Sequence, residues 1–360
     1  MAGRSTTELG DLLMDLLRMP CVTGEEAAIA DWFAARYDGR AESVVRVSNS
    51  VVVGDLSDPR PMVLLVGHLD VVPPTPIDLA VRREDGAIWG RGASDMKSGL
   101  VVAMDCFEDP ELRHGEYNLV LVAYAGEEGP HEGNELGPLL QALPQLCTAA
   151  LAVVLEPTDL RVQLGCLGAL HAEVTFHGRA AHSARPWHGE NALTKAGTFL
   201  AELDRREPQD VEIDGLVYRE VVTATRAWTD PVREARNVVP DRFTINCNYR
   251  FAPDKDEVQA ELRLREWVGD RAQVQIVDRA PAGPPLRTDA VVQRFLDALG
   301  VPVEPKQAWT DVARLTAMGV PALNFGPGLT AQAHQAGEYV QENHLSDARQ
   351  ALTNFLIRDA

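Results

Sequence analysis

Hydrophobic positions along this chain recur with two different periods, and the change from one to the other outlines the elements. Leu9, Leu12, Leu13, Leu16 and Leu17 repeat at helical spacing behind Ser5 and Glu8, which stand at the separation of a capping box, and Pro20 ends the run. Thr23 and Glu26 repeat that signature ahead of Ala27, Ile29, Ala30, Trp32 and Phe33, with Gly39 as a stop. A second helix is expected there. Valine-rich runs at 44–47 and 51–53 then read as strands, and the run 62–66 reads as a strand buried on both faces. Further apolar strands are expected at 118–125, 151–155 and 322–325, with a helix over 100–107.

Between His171 and Asp278 the order changes. The pattern predicts strand 172–176, helix 191–203, strand 216–228, strand 242–251, helix 254–268 and strand 273–277, which is the split βαβ order of a ferredoxin-like unit with one open sheet face. Pro281-Ala282-Gly283-Pro284-Pro285 reads as a linker, after which the first pattern resumes. The expectation is an α/β fold, mainly parallel with flanking helices, formed by 1–170 and 284–360, with an α+β domain inserted at 171–283. A length of 360 residues fits two such domains.

Four of the predicted strands stop at residues able to do chemistry. The run 62–66 delivers Gly67-His68-Leu69-Asp70, the run 118–125 delivers Glu127-Glu128, the run 151–155 delivers Glu156, and the run 322–325 leads through Gly326-Pro327-Gly328 to His334. In an open, mainly parallel sheet the carboxyl ends of the strands are where ligands bind. His68 and Asp70, two residues apart, project from the same side of an extended segment, so Asp70 either ligates a metal or orients the imidazole. Asp95, in a Gly-rich loop before a helix, is placed equally well for an N-cap and for a shared ligand. So many nitrogen and oxygen ligands exceed the needs of one tetrahedral zinc, and two metals sharing a carboxylate suit them better. An adjacent Glu pair is often just a solvated acidic loop, but here one carboxylate can ligate while the other carries a proton. In two-metal hydrolases, ions about 3.5–4 Å apart activate water.

Composition narrows the partners. With 34 basic and 53 acidic residues, the formal charge of −19 opposes binding to a phosphate backbone or an anionic membrane. No nucleic-acid or membrane partner is expected. The five cysteines are scattered without a C-x-x-C pair and read as reduced thiols; no secretory h-region and no apolar run of about 18 residues is seen, so a cytoplasmic location is expected.

The ordered motifs Gly67-His68-Leu69-Asp70-Val71-Val72-Pro73, Gly90-Arg91-Gly92-Ala93-Ser94-Asp95-Met96-Lys97, Glu127-Glu128-Gly129, Glu156-Pro157-Thr158 and the late His334 resemble those of the dinuclear zinc aminoacylase, desuccinylase and carboxypeptidase superfamily. Within it, Ala181-His182-Ser183-Ala184-Arg185-Pro186, Arg236-Asn237-Val238-Val239-Pro240, Tyr249-Arg250-Phe251 and Trp309-Thr310-Asp311-Val312-Ala313-Arg314 look like succinyl-diaminopimelate desuccinylases of the actinobacterial type. The resemblance implies two Zn2+ per subunit, one exchangeable for Co2+ or Mn2+. It implies that Asp95 bridges them, that His68 and Glu156 complete one site, and that Glu128 and His334 complete the other. It also implies that Asp70 orients His68, that Glu127 is the general acid/base, that His182 reaches across a homodimer formed by the inserted lid, and that Asn237 and Arg250 hold the substrate. The peptide after the bridging aspartate is expected to be cis.

Hydrolysis of a small N-acyl amino acid is the implied activity, with N-succinyl-LL-2,6-diaminopimelate as the implied substrate. Acetylornithine, other N-acyl amino acids and dipeptides remain alternatives, because lid and loop contacts worth only a few kcal/mol decide among them. A metal-stabilised binding protein is the alternative of another class, against which the free carboxylate of Glu127 speaks. One departure is the hinge Gly165-Cys166-Leu167-Gly168-Ala169, where some desuccinylases carry Arg and Ser.

Overall fold

The computed structural model describes residues 3–19, 21–229 and 235–357, so Pro20, expected to end the first helix, lies outside the described residues. Two compact units divide the chain. The first takes residues 1–165, 285–306 and 310–360, and the second takes 166–284 and 307–309. The inserted unit begins at Cys166 rather than at His171, because its first strand, Gly168–His177, starts earlier than the hydrophobic run suggests.

In the first unit an eight-stranded sheet runs, edge to edge, Val44–Val47, Ser50–Val53, Asn118–Tyr124, Met62–His68, Leu151–Val154, Ala322–Asn324, Val162–Leu164 and Val303–Pro305. From Asn118–Tyr124 to Ala322–Asn324 the strands are mutually parallel, and an antiparallel hairpin flanks them at one edge. Every residue of Met62–His68 and of Asn118–Tyr124 is buried, which is why both read as unbroken apolar runs rather than as alternations. Val66, Val122, Val154 and Leu64 pack on one face against Leu136, Leu139, Leu140 and Leu315. Thr6–Leu17 opens with the expected capping box between Ser5 and Glu8. Helix Ser98–Glu108, buried along almost its whole length, packs with Thr6–Leu17 and Glu342–Leu356.

The second unit is a five-stranded antiparallel sheet in the order Gln209–Ile213, Leu216–Thr229, Arg242–Phe251, Gly168–His177, Gln273–Ala280. Its last four strands have the ferredoxin-like arrangement; Gln209–Ile213 is an extra edge strand that its polar composition conceals. Phe199, Ala260, Leu264 and Val268 from helices Gly197–Asp204 and Glu257–Val268 cover one face, against Val174, Phe176, Ile245 and Cys247. The helix expected over 191–203 is two pieces, Ala192–Lys195 and Gly197–Asp204. No helix among the described residues is long and apolar enough to cross a membrane.

Candidate dinuclear metal centre

Parallel strands end together, so the residues after them converge. Leu69 N–H donates to Tyr124 O, and Leu155 N–H donates to Val66 O, which aligns the exits of three neighbouring strands. The loop after Asn118–Tyr124 turns at Gly126, with φ of 79°, where a Cβ would lie 2.5 Å from Gly133 O. At Gly328 a Cβ would stand 2.1 Å from Ser94 O, so the loop towards His334 lies directly on the one that carries Asp95.

Asp95 is the centre of the cluster. Its Oδ1 lies 3.3 Å from His68 Nε2 and its Oδ2 lies 3.7 Å from His334 Nε2. The two oxygens of one carboxylate thus face two different imidazoles. Glu156 Oε1 approaches His68 Nε2 to 3.9 Å, and Glu128 Oε2 lies 2.8 Å from His334 Nε2. Donor atoms of His68, Asp95 and Glu156 lie within 4.8 Å of one another, as do those of Asp95, Glu128 and His334, and those of His68, Glu127 and Glu128. Asp95 does not cap the following helix, whose cap position is Lys97, and the Asp95-Met96 peptide is cis.

Asp70 is fully buried and touches both halves. Its carbonyl accepts His68 Nδ1–H at 3.0 Å, while its carboxylate stands 3.7 Å from that nitrogen. With a cation bound beside Asp95 and Glu156 this arrangement would turn the Nε2 lone pair to the ion; without one, Nε2–H faces Asp95 Oδ1. The Asp70 carboxylate itself accepts Glu127 N–H and Glu128 N–H, each at 3.1 Å, and the Thr23 hydroxyl at 2.9 Å. Thr23 is therefore not the cap of the second helix. That helix, Ala27–Tyr37, starts after Glu26, whose side chain accepts Gly24 N–H.

The charges are unbalanced without a cation. Burial raises Glu127 well above the usual carboxylate range; the charge of His68 opposes this, and those of Glu156 and Glu128 add to it. Burial, followed by the charge of Asp95, pushes Glu156 up to about 7. Burial also works against ionisation of Asp95, but its hydrogen bond to His68 and the imidazole charges outweigh it and hold this carboxyl low. Glu156 Oε1 is buried with no hydrogen-bond partner among the described residues. A buried, unpartnered oxygen beside His68 and a shared carboxylate fits divalent cations held by nitrogen and oxygen donors.

Five residues given no role from the sequence support this site. Tyr124 OH and Asn134 Nδ2 each donate at 2.7 Å to Asp311 Oδ2, and Arg314 Nε donates to its Oδ1 at 2.9 Å, which ties the Glu127 loop to the strand beneath it. Lys306, also buried, donates to Pro157 O at 3.0 Å and places a positive charge near Asp95 and Glu156.

In the second unit His182 is exposed and belongs to a two-residue ribbon with Val238–Val239; the adjacent Ser183 N–H donates to Asn237 O at 2.8 Å. His182 and Asn237 are thus neighbours, although 55 positions separate them in the chain (237 − 182). Arg250 sits on strand Arg242–Phe251, opposite Ala169. On the same strand face Asn248 approaches His171, whose pKa is lowered by burial and then by the Arg250 charge.

The sequence pattern of the peptidase family M20/M25/M40 matches residues 64–358. The chain belongs to this family. A protein named putative succinyl-diaminopimelate desuccinylase from Mycobacterium tuberculosis is 36% identical over 350 residues, covering 96% of this chain and 97% of that protein. Succinyl-diaminopimelate desuccinylase from Corynebacterium glutamicum is 35% identical over 363 residues, covering 97% and 96%. Among solved structures, a tripeptidase from Staphylococcus aureus superposes with a TM-score of 0.79 at 17% identity, covering 98% of each chain, and an M20 family metallo-carboxypeptidase from Sulfolobus solfataricus with 0.74 at 17%, covering 97% and 98%. The M20 member is a hydrolase with a mainly parallel α/β fold, as the ordered motifs imply.

Proposed function

We propose that this protein is a dinuclear zinc amidohydrolase that converts N-succinyl-LL-2,6-diaminopimelate and water to succinate and LL-diaminopimelate, in the cytoplasm, on the route to diaminopimelate and lysine. The observation that carries the reading is the division of Asp95 between His68 and His334, with Glu127, half-buried, beside His68 and Glu128. Names borne by relatives at 35–36% identity support the substrate.

His68 and Glu156 would hold one ion, Glu128 and His334 the other, and Asp95 both. Bound there, the ions supply Lewis acidity to the amide carbonyl and to water. Glu127, held by its backbone N–H on Asp70, takes a proton from the water as its oxygen attacks the carbonyl carbon. It then gives that proton to the amine nitrogen as the C–N bond breaks. Burial favours the protonated carboxyl of Glu127, which suits delivery of the proton to the amine, and the ionised form that takes the proton from water would be favoured by the cations bound beside it.

His182, Asn237 and Arg250 form the lid's part. Ala184 N–H donates to His182 Nδ1 at 3.1 Å, so the neutral ring carries its proton on Nε2, as a donor free for the carbonyl oxygen in the other subunit of a homodimer. Arg250 offers a fork to a substrate carboxylate. Acetylornithine is the second reading: an acetylornithine deacetylase from Myxococcus xanthus is 30% identical over 318 residues, covering 82% of this chain and 80% of that protein. Rates on succinyl-diaminopimelate, acetylornithine and a dipeptide, measured side by side on the zinc-loaded protein, test the proposal. Preference for the first is expected, and equal or absent rates overturn it.

A further inference from the structure

Glu338 is 1% exposed and lies outside the ligand set, yet four donors converge on it. Its Oε1 accepts Ser94 N–H at 2.8 Å and Asp95 N–H at 2.9 Å. Its Oε2 accepts Gly92 N–H at 2.9 Å and Arg91 Nη1 at 2.8 Å. The other arm of Arg91 donates to Asp78 Oδ2 at 3.0 Å, and Asp78 Oδ1 accepts Gly337 N–H at 2.7 Å and Glu338 N–H at 3.3 Å. The ring Glu338–Arg91–Asp78 therefore closes on the backbone of Glu338 itself. Ser94 adds a second tie, donating its hydroxyl to Tyr339 O at 2.7 Å.

A buried carboxylate so near that of Asp95 is an expensive way to secure a loop. Like charges repel, and burying an ion is costly unless it is fully paired. Holding the loop in place would need only neutral acceptors. What a carboxylate adds is acceptor-only character on both oxygens, so that all three N–H groups at 92, 94 and 95 are fixed at once. Their common consequence is the orientation of Asp95, the residue that must present one oxygen to each of two positions about 3.5–4 Å apart. Tolerance for such placement is about 0.5 Å.

We propose that Glu338, locked by Arg91 and Asp78, is the positioning residue that sets Asp95 astride two metal positions and thereby fixes the affinity for the second ion. This inference rests on the dinuclear reading above. In Glu338→Gln, whichever way the amide turns, its NH2 faces two N–H donors, so half of the hydrogen bonds are lost while the volume is kept. Arg91→Lys keeps the charge but cannot reach Glu338 and Asp78 with one planar fork.

The test is a Zn2+ titration of the metal-free full-length protein against a chelating indicator, which yields two stepwise dissociation constants, with the absorption spectrum of the Co2+-loaded protein as a second readout. Glu338→Gln should weaken the second equivalent about 10–100-fold, the range for groups that orient ligands. It should also alter the Co2+ bands. Arg91→Lys should act in the same direction, and it serves alone if Glu338→Gln does not fold. Two constants within twofold of wild type in either folded variant overturn the inference. A wild-type protein that binds fewer than two ions overturns the dinuclear reading instead.

Discussion

The carboxylate of Asp70 accepts the backbone N–H of Glu127 at 3.1 Å, so a residue at the end of one strand aims the proposed proton carrier at the end of the next. The second oxygen does the same for Glu128, and the Asp70 carbonyl holds the His68 ring. One buried side chain and its carbonyl thus reach three members of the cluster. Replacing Asp70 with Asn turns an NH2 group towards backbone donors and should lower kcat about 10–100-fold with little change in KM. Steady-state kinetics of the zinc-loaded variant check this, and an unchanged kcat contradicts it.

Removing metal should destabilise the fold. Asp95, Glu127, Glu128 and Glu156 belong to three overlapping groups of donor atoms within 4.8 Å, and without cations their mutual repulsion is relieved by two imidazoles, the nearby Lys306 charge and proton uptake by Glu127 and Glu156. An ion that binds only the native state stabilises it by about 2.7 kcal/mol at a hundred times its Kd. Thermal unfolding with chelator, and again after zinc is restored, should show a lower and then a recovered midpoint. Equal midpoints would argue that the cluster holds no ion.

His182→Ala should lower kcat more than it raises KM, because a donor to the developing oxyanion acts mainly in the transition state, where one such donor is worth about 3 kcal/mol. Light scattering on the same samples should give a dimer for wild type and variant alike. Full activity in a monomer would contradict action across subunits.

Far from the site, acid sensitivity has a definable source in Glu108. Burial disfavours its charge, but hydrogen bonds from Arg36 and Arg4 outweigh that and hold its pKa below the ordinary value, with Tyr37 OH a further donor at 2.9 Å. A lowered folded-state pKa contributes stability that is complete above the unfolded value of about 4.3 and is lost as pH falls through the folded value. Glu108→Gln should therefore cost on the order of 1–2 kcal/mol at pH 7, and the gap from wild type should close below about pH 4. Unfolding midpoints between pH 7 and pH 3, both proteins in chelator, measure this. A gap constant across the range would refute the assignment.

Much of this centre was legible because buried parallel strands announce themselves as apolar runs, and the residue that stops each run is a candidate ligand. That rule pointed to His68, to the pair Glu127 and Glu128, and to Glu156 as candidates, and the α/β class came with it; the choice of Glu128 and His334 as ligands came from the family resemblance. Local rules misled where a tertiary partner outbid a local one. Thr23 has the spacing of a helix cap, but its hydroxyl serves Asp70. Asp311 meets Tyr124 and Asn134 across 187 and 177 residues of chain, a contact that no periodicity encodes. Glu338 is likewise silent in the sequence, since its four donors, three of them backbone groups, are more than 240 positions away. The edge strand Gln209–Ile213 was hidden because its side chains are mostly exposed and polar.

The most direct test of Glu127 as proton carrier at a two-metal amide-hydrolysing centre is the kcat of zinc-loaded wild type and Glu127→Ala on N-succinyl-LL-2,6-diaminopimelate, with bound zinc counted in both. Turnover should fall by at least about 100–10,000-fold in the variant, the contribution of a positioned acid/base, with two zinc ions retained. A variant that keeps both ions and turns over at the wild-type rate would contradict it.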